Sequence, residues 1–487
     1  YTDLSTRTGI WKVYSRGAGD QLILYPETAS SVTLANAALH NGDIIQFAWD
    51  CASGKAWIGR NNTWYNASLG TNGNPATGAN PTITTTVAKI TNDFTPYIAS
   101  SDDNSTVTLN FGQDSSFAGA ATAQGNQDSN DIGDFYYTPP SGFKALCTKN
   151  LPSVDVVPSE NFNAIAYDDG AGAKVTGLQP DLVWFKGRGA GYDHQIVDSV
   201  RGVQKKLQPN DTTLEGTAST GLTSFNANGF TVGSDASYSS QVGDGIVAWS
   251  WKANGGAAAV SSNTNGSINT TDTSANVAAG FSISTYTGNA TEGATVGHGL
   301  SKVPEMMIVK KRSASGGWYV YHAGIGATKN MELNSAAAKA TTANIWNNTA
   351  PTTSVFSLGN NAAVNGSSAT FVAYCFHSVA GYSACGVYSG NSNADGSFVH
   401  LGFRPKFILL KSHDSGEPWV IEDTARDTVN PATKYIRPNS GDVEATGYLI
   451  DFLSNGFKFR ANIGAINTDS YIYMAVAEVP FKYSNAR

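Results

Sequence analysis

The chain has 487 residues, a formal net charge of −7 and only 14% charged residues, against a usual proportion of about 25%. This mild acidity, with no Lys/Arg cluster, argues against nucleic acid or anionic lipid as a partner, and no apolar run reaches the roughly 18 residues of a membrane-spanning helix. Lys, Glu and Met are scarce, whereas 51 glycines and many Asn, Ser and Thr residues favour short strands and tight turns, so we predict an all-β protein of several domains.

Residues 1–145 have the alternating pattern and the turn residues of an antiparallel meander. A turn around Gly54 and a second turn at Asn61-Asn62 separate its clearest strands. The strands predicted in this part of the chain are residues 42–50, 55–60, 63–65, 94–99 and 105–112.

Several residues of this meander carry a family resemblance. They are Asp50 at a strand end, Gly54 in the turn, the Trp57-Ile58-Gly59 motif, Asn61 with Trp64, and the run Val107-Thr108-Leu109-Asn110-Phe111-Gly112. In this order they resemble the SPRY family, over about residues 9–118. The resemblance implies a bent, concanavalin-like β-sandwich, and its first strands look shortened, so we expect the natural protein to continue before Tyr1.

A repeat organises the remainder of the chain. Three short apolar runs each lie between a Pro and a Lys, and an Asp or a His follows at a constant distance. The runs are Leu182-Val183-Trp184-Phe185 between Pro180 and Lys186, Met306-Met307-Ile308-Val309 between Pro304 and Lys310, and Phe407-Ile408-Leu409-Leu410 between Pro405 and Lys411, followed by Asp198, His322 and Asp423.

Runs of this length are too short for helices and are typical of strands buried on both faces. Asn-Gly before Phe230 and before Phe457 predicts hairpin turns. We therefore predict three tandem homologous β-sandwich modules after the SPRY-like domain. The predicted boundaries are 1–145 for the first domain, 146–160 for a linker, 161–255 for module 1, 256–279 for a Ser/Thr/Asn/Gly-rich linker, 280–382 for module 2 and 383–487 for module 3.

The charged and aromatic residues of the repeat have a structural interpretation. Asp198 with Arg201, and Asp423 with Arg426, recur at one register, which favours ion pairs that brace the fold over a catalytic pair. His194, Trp318 and Trp419 also share one register and are expected in the core.

The chain shows no pattern typical of an enzyme. The seven histidines form no metal-binding pair, and the Asp-rich loops at 101–104 and 128–131 lack the spacing of a calcium loop. We therefore expect no catalytic residue, no cofactor and no bound metal. Cys51, Cys147, Cys375 and Cys385 form no CxxC pair, so free, mostly buried thiols and folding in a reducing cytoplasm are expected, with a Cys375–Cys385 bridge as the alternative.

The C-terminal modules, and the Pro139-Pro140 bridge before them, resemble phage tail-fibre-like proteins at residues 371–382, 451–457 and 480–487. The resemblance implies a homotrimeric virion tail protein that folds in the host cytoplasm and contacts other tail proteins and a host cell-surface receptor, most simply a carbohydrate. A purely structural decoration or assembly protein is the alternative, and a depolymerase is the third reading. Sugars are bound by aromatic faces and amides, and the candidate residues outside the repeat register are Asn62, Trp64, Tyr65, Tyr192, Tyr238 and Trp346.

Overall fold

The computed structural model describes residues 42–50, 53–68, 70–84, 107–151, 154–239, 245–254 and 261–481, together with the backbone of three earlier strands. The predicted all-β fold is confirmed. The α-helices of the described part are single turns, and none has the length and apolarity required to cross a bilayer. They are α1 Pro158–Asn161, α2 Ala362–Asn365 and α3 Gly464–Asn467. The chain divides into two compact units, Tyr1–Pro152 and Ser153–Arg487.

The first unit contains two small antiparallel sheets among its described residues. One has the strand order β1-β2-β3, and the other has the order β4-β5-β6 with β7 on β5. The pairing of β4 with β5 forms the hairpin that the sequence predicts. The strands are β1 Lys12–Arg16, β2 Gln21–Tyr25, β3 Val32–Ala38, β4 Ile45–Asp50, β5 Lys55–Arg60, β6 Thr63–Trp64 and β7 Ile83–Thr84.

The strand predicted at 105–112 is wrong over its described part, because residues 107–112 are not in a strand. The Asn110 side chain accepts hydrogen bonds from the backbone N–H of Gly112 and of Gln113. A local side-chain acceptor of this kind competes with strand pairing. Residues 105–106 and the strand predicted at 94–99 lie outside the described residues, and the SPRY-like sandwich stays a prediction.

The second unit contains three segments with the same strand order, which we call segments 1, 2 and 3. In each, the strand that contains or follows the Pro of the repeat pairs with the strand that closes the segment and with the strand that ends in Asp198, His322 or Asp423. Segment 1 consists of β8 Phe162–Tyr167, β9 Gly172–Val175, β10 Leu182–Gly187, β11 Gln195–Asp198, β12 Lys205–Lys206, β13 Gly216–Thr217, β14 Leu222–Asn226, β15 Gly229–Val232 and β16 Ile246–Trp251. Segment 2 consists of β17 Thr270–Asn276, β18 Phe281–Thr287, β19 Ala294–Gly297, β20 Met306–Lys311, β21 Trp318–His322, β22 Lys329–Glu332, β23 Ala340–Thr341, β24 Val355–Leu358 and β25 Thr370–Phe376. Segment 3 consists of β26 Ser383–Ser389, β27 Phe398–His400, β28 Phe403–Ser412, β29 Val420–Asp423, β30 Ala432–Tyr435, β31 Ala445–Leu453, β32 Gly456–Phe459 and β33 Ser470–Pro480.

The pairing register is also the same in the three segments. The residue two positions after the Pro faces the Asp or His of the next strand and a fixed position of the closing strand. The matched sets are Leu182 with Asp198 and Trp251, Met306 with His322 and Phe376, and Phe407 with Asp423 and Val476. Because a slip of one residue would exchange the two faces of a strand, equal registers give equal burial patterns in the three segments.

Each segment is a sandwich whose inner sheet is covered on both faces. The inner sheets have the orders β8-β16-β10-β11 and β26-β33-β28-β29 in segments 1 and 3, and in segment 2 the order β18-β25-β20-β21 is extended by β17 on one side and by β22-β23 on the other. In segment 1, Val183 and Phe185 point into the core of that segment's own sandwich, which we call its outer core, whereas Leu182 and Trp184 point into a core shared by all three segments. The shared core explains the continuous apolar runs, since neither face of an inner strand meets water.

The linker expected at 256–279 is wrong over its second half. Residues 270–276 form β17, an edge strand that pairs with β18 of segment 2. Its threonines suit a pleated, half-buried surface, and their polarity led to the prediction of a linker. Residues 255–260 lie outside the described residues.

The three segments contact one another in a cycle through three hairpins of equal length. These seam hairpins are residues 206–216, 330–340 and 435–445, each closed by pairing of its first and last residue. A ring N–H of one segment donates to a backbone carbonyl in the hairpin of its neighbour. The donors and acceptors are His194 Nε2 with Arg437 O (3.1 Å), Trp318 Nε1 with Gln208 O (2.8 Å) and Trp419 Nε1 with Glu332 O (3.0 Å). Three similar bodies in an equivalent cycle are related by an approximate threefold axis.

Each seam has an ion pair between a hairpin residue and a loop residue of the neighbouring segment, and the charges are reversed at one seam. At the seam of segments 3 and 1, Arg188 binds both carboxylate oxygens of Glu444, at 3.0 and 2.9 Å. At the seam of segments 1 and 2, Arg312 holds Glu215 in the same way, at 2.9 and 3.0 Å. The third seam has the opposite charges, with Lys339 Nζ 2.6 Å from Asp414 Oδ1.

The residue that supports the ion pair from within its own segment also differs where the charges are reversed. Arg201 and Arg426 bind Glu215 and Glu444 from within their own segments, at 3.1 and 3.2 Å. The corresponding position in segment 2 is Ile325. An arginine there would face the like charge of Lys339, so the apolar residue fits the reversed pair.

The two Asp–Arg pairs are structural, as the sequence analysis predicts. Both side chains of each pair are fully buried, with Arg Nε to Asp Oδ2 distances of 2.5 Å for Asp198 and 2.6 Å for Asp423. The same oxygens accept a hydrogen bond from a neighbouring segment: Tyr374 OH donates to Asp198 at 2.7 Å, and Trp249 Nε1 donates to Asp423 at 3.0 Å. Each carboxylate therefore ties two segments together.

We predict that Asp423→Asn lowers the free energy of unfolding by about 3 kcal/mol, because it removes the buried carboxylate on Arg426 Nε and leaves only Glu444 as a counter-charge. Chemical unfolding followed by tryptophan fluorescence measures the loss. Asp395→Asn is the control, since that side chain is 75% exposed, and its midpoint should stay nearly unchanged. Equal midpoints for Asp423→Asn and the wild type would contradict the structural role.

Glu422 is a buried carboxyl group in the outer core of segment 3. It is 0% exposed, and neither carboxylate oxygen has a hydrogen-bond partner among the described residues. The corresponding residues of the other segments are the buried Val197 and Tyr321. Burial raises the pKa of Glu422 well above its ordinary value, so folding favours the protonated form of this group.

We predict that Glu422→Gln stabilises the protein at pH 8 but not at pH 4. The folded state keeps a proton that the unfolded chain releases above its ordinary pKa, so the stability contributed by Glu422 is complete below about pH 4.5 and is lost as pH rises. At pH 8 the variant should therefore unfold at a higher temperature than the wild type, whereas at pH 4 the two should unfold at nearly the same temperature. Thermal unfolding at both pH values measures the difference, with exposed Glu160→Gln as the control; an equal change at both pH values would contradict the prediction.

Candidate ligand-binding cleft at one seam

Three of the candidate glycan-binding residues lie together in the first unit. Asn62 is exposed in the turn between β5 and β6, where its backbone N–H donates to Gln46 Oε1 at 2.6 Å. Trp64 and Tyr65 are partly buried just after this turn. Trp64 lies across Gly59, where a Cβ atom would be 3.0 Å from the indole ring. These contacts position the turn.

Tyr238 and Trp346 are not surface residues, so the prediction that they bind a glycan is wrong. Tyr238 is 0% exposed and packs on Phe185, with ring centroids 4.9 Å apart. Trp346 is 1% exposed and packs on Tyr321 at 6.1 Å. Both belong to loops that fold back over a sandwich and close its outer core, and such burial has no periodic signal in the sequence.

Tyr192 is exposed, at 36% of its surface, and it adjoins a cleft. It lies in the loop after β10, directly after Gly191, which lines a cleft of about 540 Å³ between segments 1 and 3. This volume is within the range of about 300–1,000 Å³ for small-ligand sites. The residues that line this seam cleft are Gly191, Tyr435, Arg437, Gly441, Asp442, Val443 and Ala445.

The guanidinium group of Arg437 is held in place by two tyrosines. The rings of Tyr435 and Tyr448 are stacked, with centroids 3.8 Å apart and planes within 7°. Arg437 Nη2 donates to both hydroxyls, at 3.3 and 3.2 Å, and the guanidinium carbon lies 5.3 Å from the Tyr435 ring centre. Cation–π attraction and the two hydrogen bonds thus fix the charge before any ligand arrives.

The opposite side of the cleft is fixed by Lys186. Its Nζ donates to Gly187 O at 2.8 Å and to Gly441 O at 3.2 Å, which ties the loop of segment 1 to the seam hairpin of segment 3. Burial lowers the pKa of Lys186 to about 8. Asp442 follows Gly441 and brings a carboxylate to the cleft, so the lining includes a guanidinium and a carboxylate.

The seam cleft has no chemical counterpart at the other two seams. The positions of Tyr435, Arg437 and Asp442 hold Lys206, Gln208 and Thr213 in segment 1, and Asn330, Glu332 and Ala337 in segment 2. The structural residues of the hairpin are retained: Asn210, Asn334 and Asn439 each accept the backbone N–H of His194, Trp318 or Trp419. One seam has therefore acquired different chemistry on a common scaffold. Sequence analysis missed these residues, although extending the repeat alignment past Arg426 would have shown them as departures.

A second cleft, of about 480 Å³, lies at the same seam and includes Tyr167, Asp168, Arg188 and Glu444 in its lining. Its guanidinium and the Glu444 carboxylate are already bound to each other through two hydrogen bonds. Because these two groups bind each other, they are less available to a ligand than Arg437 and Asp442 in the seam cleft.

Metal and thiol chemistry add nothing to the site. Within the described ranges, no three His, Cys, Asp or Glu side chains are arranged to hold a metal ion. Cys147, Cys375 and Cys385 are free thiols, so the Cys375–Cys385 bridge kept as an alternative is wrong, and Cys51 lies outside the described residues. Burial raises the pKa of Cys375 to about 12, so it is an inert core residue.

One known family matches the second unit of the chain. A family model described as a domain of unknown function, DUF7483, matches residues 157–480, about two-thirds of the chain. The chain belongs to the DUF7483 family. No curated protein and no solved structure matches it. The DUF7483 region begins at the residue that caps α1 and ends at the last residue of β33, so the family unit is the whole set of three segments that share one core.

We predict that Tyr238→Ala and Trp346→Ala each lower the free energy of unfolding by about 3–5 kcal/mol, since each leaves a cavity in an outer core. Tyr192→Ala should change it by less than about 1 kcal/mol. Urea unfolding of the three variants tests the assignment. A large loss for Tyr192→Ala would place that ring in the core, against its observed exposure.

Proposed function

We propose that this protein is a phage virion tail protein that binds a host cell-surface glycan through the seam cleft of its DUF7483 region. The resemblance of the modules to phage tail-fibre-like proteins supports the virion assignment. The observation that carries the binding site is that one of three similar seams has Tyr435, Arg437 and Asp442 in a cleft that is also lined by Gly191, the chain neighbour of the exposed Tyr192. Aromatic rings with charged and amide groups are the usual chemistry of sugar recognition.

The position of the cleft is consistent with a free binding end. In segment 1, Phe162, Trp251 and Leu182 lie at one end of the inner sheet, which we call the connection end because the closing strand finishes there. The opposite end of the same sheet, where Gly187 faces Ile246, continues into the loop of Gly191 and Tyr192. A partner that held the protein at the connection end would leave the seam cleft accessible.

Several parts of the proposal concern partners and location. We infer contacts with other tail proteins and a location in the virion tail after folding in the host cytoplasm. A homotrimer remains a prediction. Because the three segments already complete a cycle within one chain, a trimer of chains would need a surface outside the shared core. Binding through several copies would raise the avidity of a weak site.

An assembly protein of the virion is the second candidate, and exposed valines favour it. Val203, Val303 and Val429, one from each segment, are 39%, 43% and 69% exposed. Each lies near a strand terminus at the connection end of its sheet, which is the end opposite the seam cleft. Both functions can occur in one protein, but only the first requires the cleft.

We predict that fluorescently labelled full-length protein binds host cells and that Arg437→Ala reduces the affinity at least about tenfold, the loss typical of a central interface residue. Glu332→Ala is the matched control, because it changes the corresponding position of the hairpin in segment 2. Cell binding measured by flow cytometry, with circular dichroism to verify folding, separates the variants. Binding to virion tail proteins but not to cells would reject the receptor function and leave the assembly function.

A further inference from the structure

Arg437 has unused hydrogen-bond donors at the cleft. A guanidinium group carries five N–H donors, and the two on Nη2 are directed at the hydroxyls of Tyr435 and Tyr448. Nε is buried and has no partner among the described residues. Nη1 also donates to none of the described residues. Because Nε is buried, a ligand in the cleft would meet the two donors on Nη1.

The orientation of the guanidinium is fixed in advance. The Tyr435–Tyr448 stack supports one N–H edge, so the remaining donors cannot turn away without breaking both hydrogen bonds. A rigid, planar set of donors is complementary to a planar or tetrahedral anion such as a carboxylate or a phosphate. Pre-organisation of this kind reduces the entropy cost of binding.

The remainder of the lining selects against a bare anion. Asp442 adds a negative charge to the same cleft, and a small free anion would be repelled by it. A ligand with hydroxyl groups can donate to that carboxylate while its own anionic group meets Arg437. Gly191 and Gly441 both line the cleft and approach each other across the seam, where a Cβ on Gly191 would be 3.6 Å from Gly441 O, so the ligand would lie beside this contact.

We propose that the seam cleft binds a sugar residue that carries an anionic group, with the anion on the free donors of Arg437 and the sugar hydroxyls on Asp442. This inference rests on the proposed glycan-binding function and names its ligand class. The shared chemistry is an anion on a polyhydroxylated ring, which either a uronic acid or a sugar phosphate supplies. The other two seams carry Gln208 and Glu332 at the position of Arg437 and should not bind such a ligand.

The test compares three small ligands on the full-length protein by ligand-observed NMR titration: glucuronic acid, glucose 6-phosphate and glucose. At least one anionic sugar should bind about tenfold more tightly than glucose, and added NaCl should reduce that difference. Preference for glucuronic acid identifies a carboxylate ligand, and preference for glucose 6-phosphate identifies a phosphate ligand; either supports the proposal. Equal binding of all three ligands, or binding of none, overturns it.

Substitutions test which residues cause the preference for the anionic sugar. Arg437→Gln should abolish the preference for the anionic sugar, Arg437→Lys should retain part of it, and Asp442→Asn should weaken binding of the sugar ring. Glu332→Gln, at the corresponding position of segment 2, should leave every affinity unchanged. A preference that survives Arg437→Gln in a folded variant also overturns the proposal.

The outcome is separable from that of the proposed function. If glucose binds as tightly as the anionic sugars and Arg437→Ala still abolishes cell binding, the glycan function stands and the anionic ligand class fails. If no cells are bound at all, the proposed function fails independently of this titration.

Discussion

The structure of the second unit depends on one constraint, which is that the inner sheet of each segment is buried on both faces. One face of β10, β20 and β28 covers the outer core of its own sandwich, and the other contributes to the shared core. Hydrophobic burial of this extent on two sides requires that all three segments be present. The match of the DUF7483 family to residues 157–480 agrees with this, since the family unit spans the complete set.

Polar groups at the seams determine which segment packs against which in this apolar arrangement. A shared core of similar sheets would admit more than one way of pairing segments, and the partly buried charges at the seams penalise the wrong pairings. Two seams use Arg–Glu pairs, while the third reverses the charge with Lys339 and Asp414 and replaces the supporting arginine by Ile325. The three seams thus have hairpins of the same length but different side chains, and one of them contains the seam cleft.

The sequence predicted the central strands of the second unit but not how the three segments assemble. The Pro-to-Lys runs identified β10, β20 and β28 because burial on both faces leaves a continuous apolar signature. What covers the second face depends on contacts between residues more than a hundred positions apart, which no local pattern contains. The same holds for the site. Tyr192 was predicted as an exposed aromatic residue, but Arg437 and Asp442 line a cleft only because the loops of Gly191 and Gly441 meet across a seam. Tyr238 and Trp346 were misplaced because loop aromatics carry no periodicity.

Native-state hydrogen exchange of the full-length protein tests most directly whether the three segments are one cooperative structure. Amides in the inner strands of all three segments should exchange with the same free energy, that of global unfolding, because removing any one segment exposes the shared core of the other two. Three different exchange free energies, one for each segment, would show independent modules and would contradict the shared core as the basis of the fold.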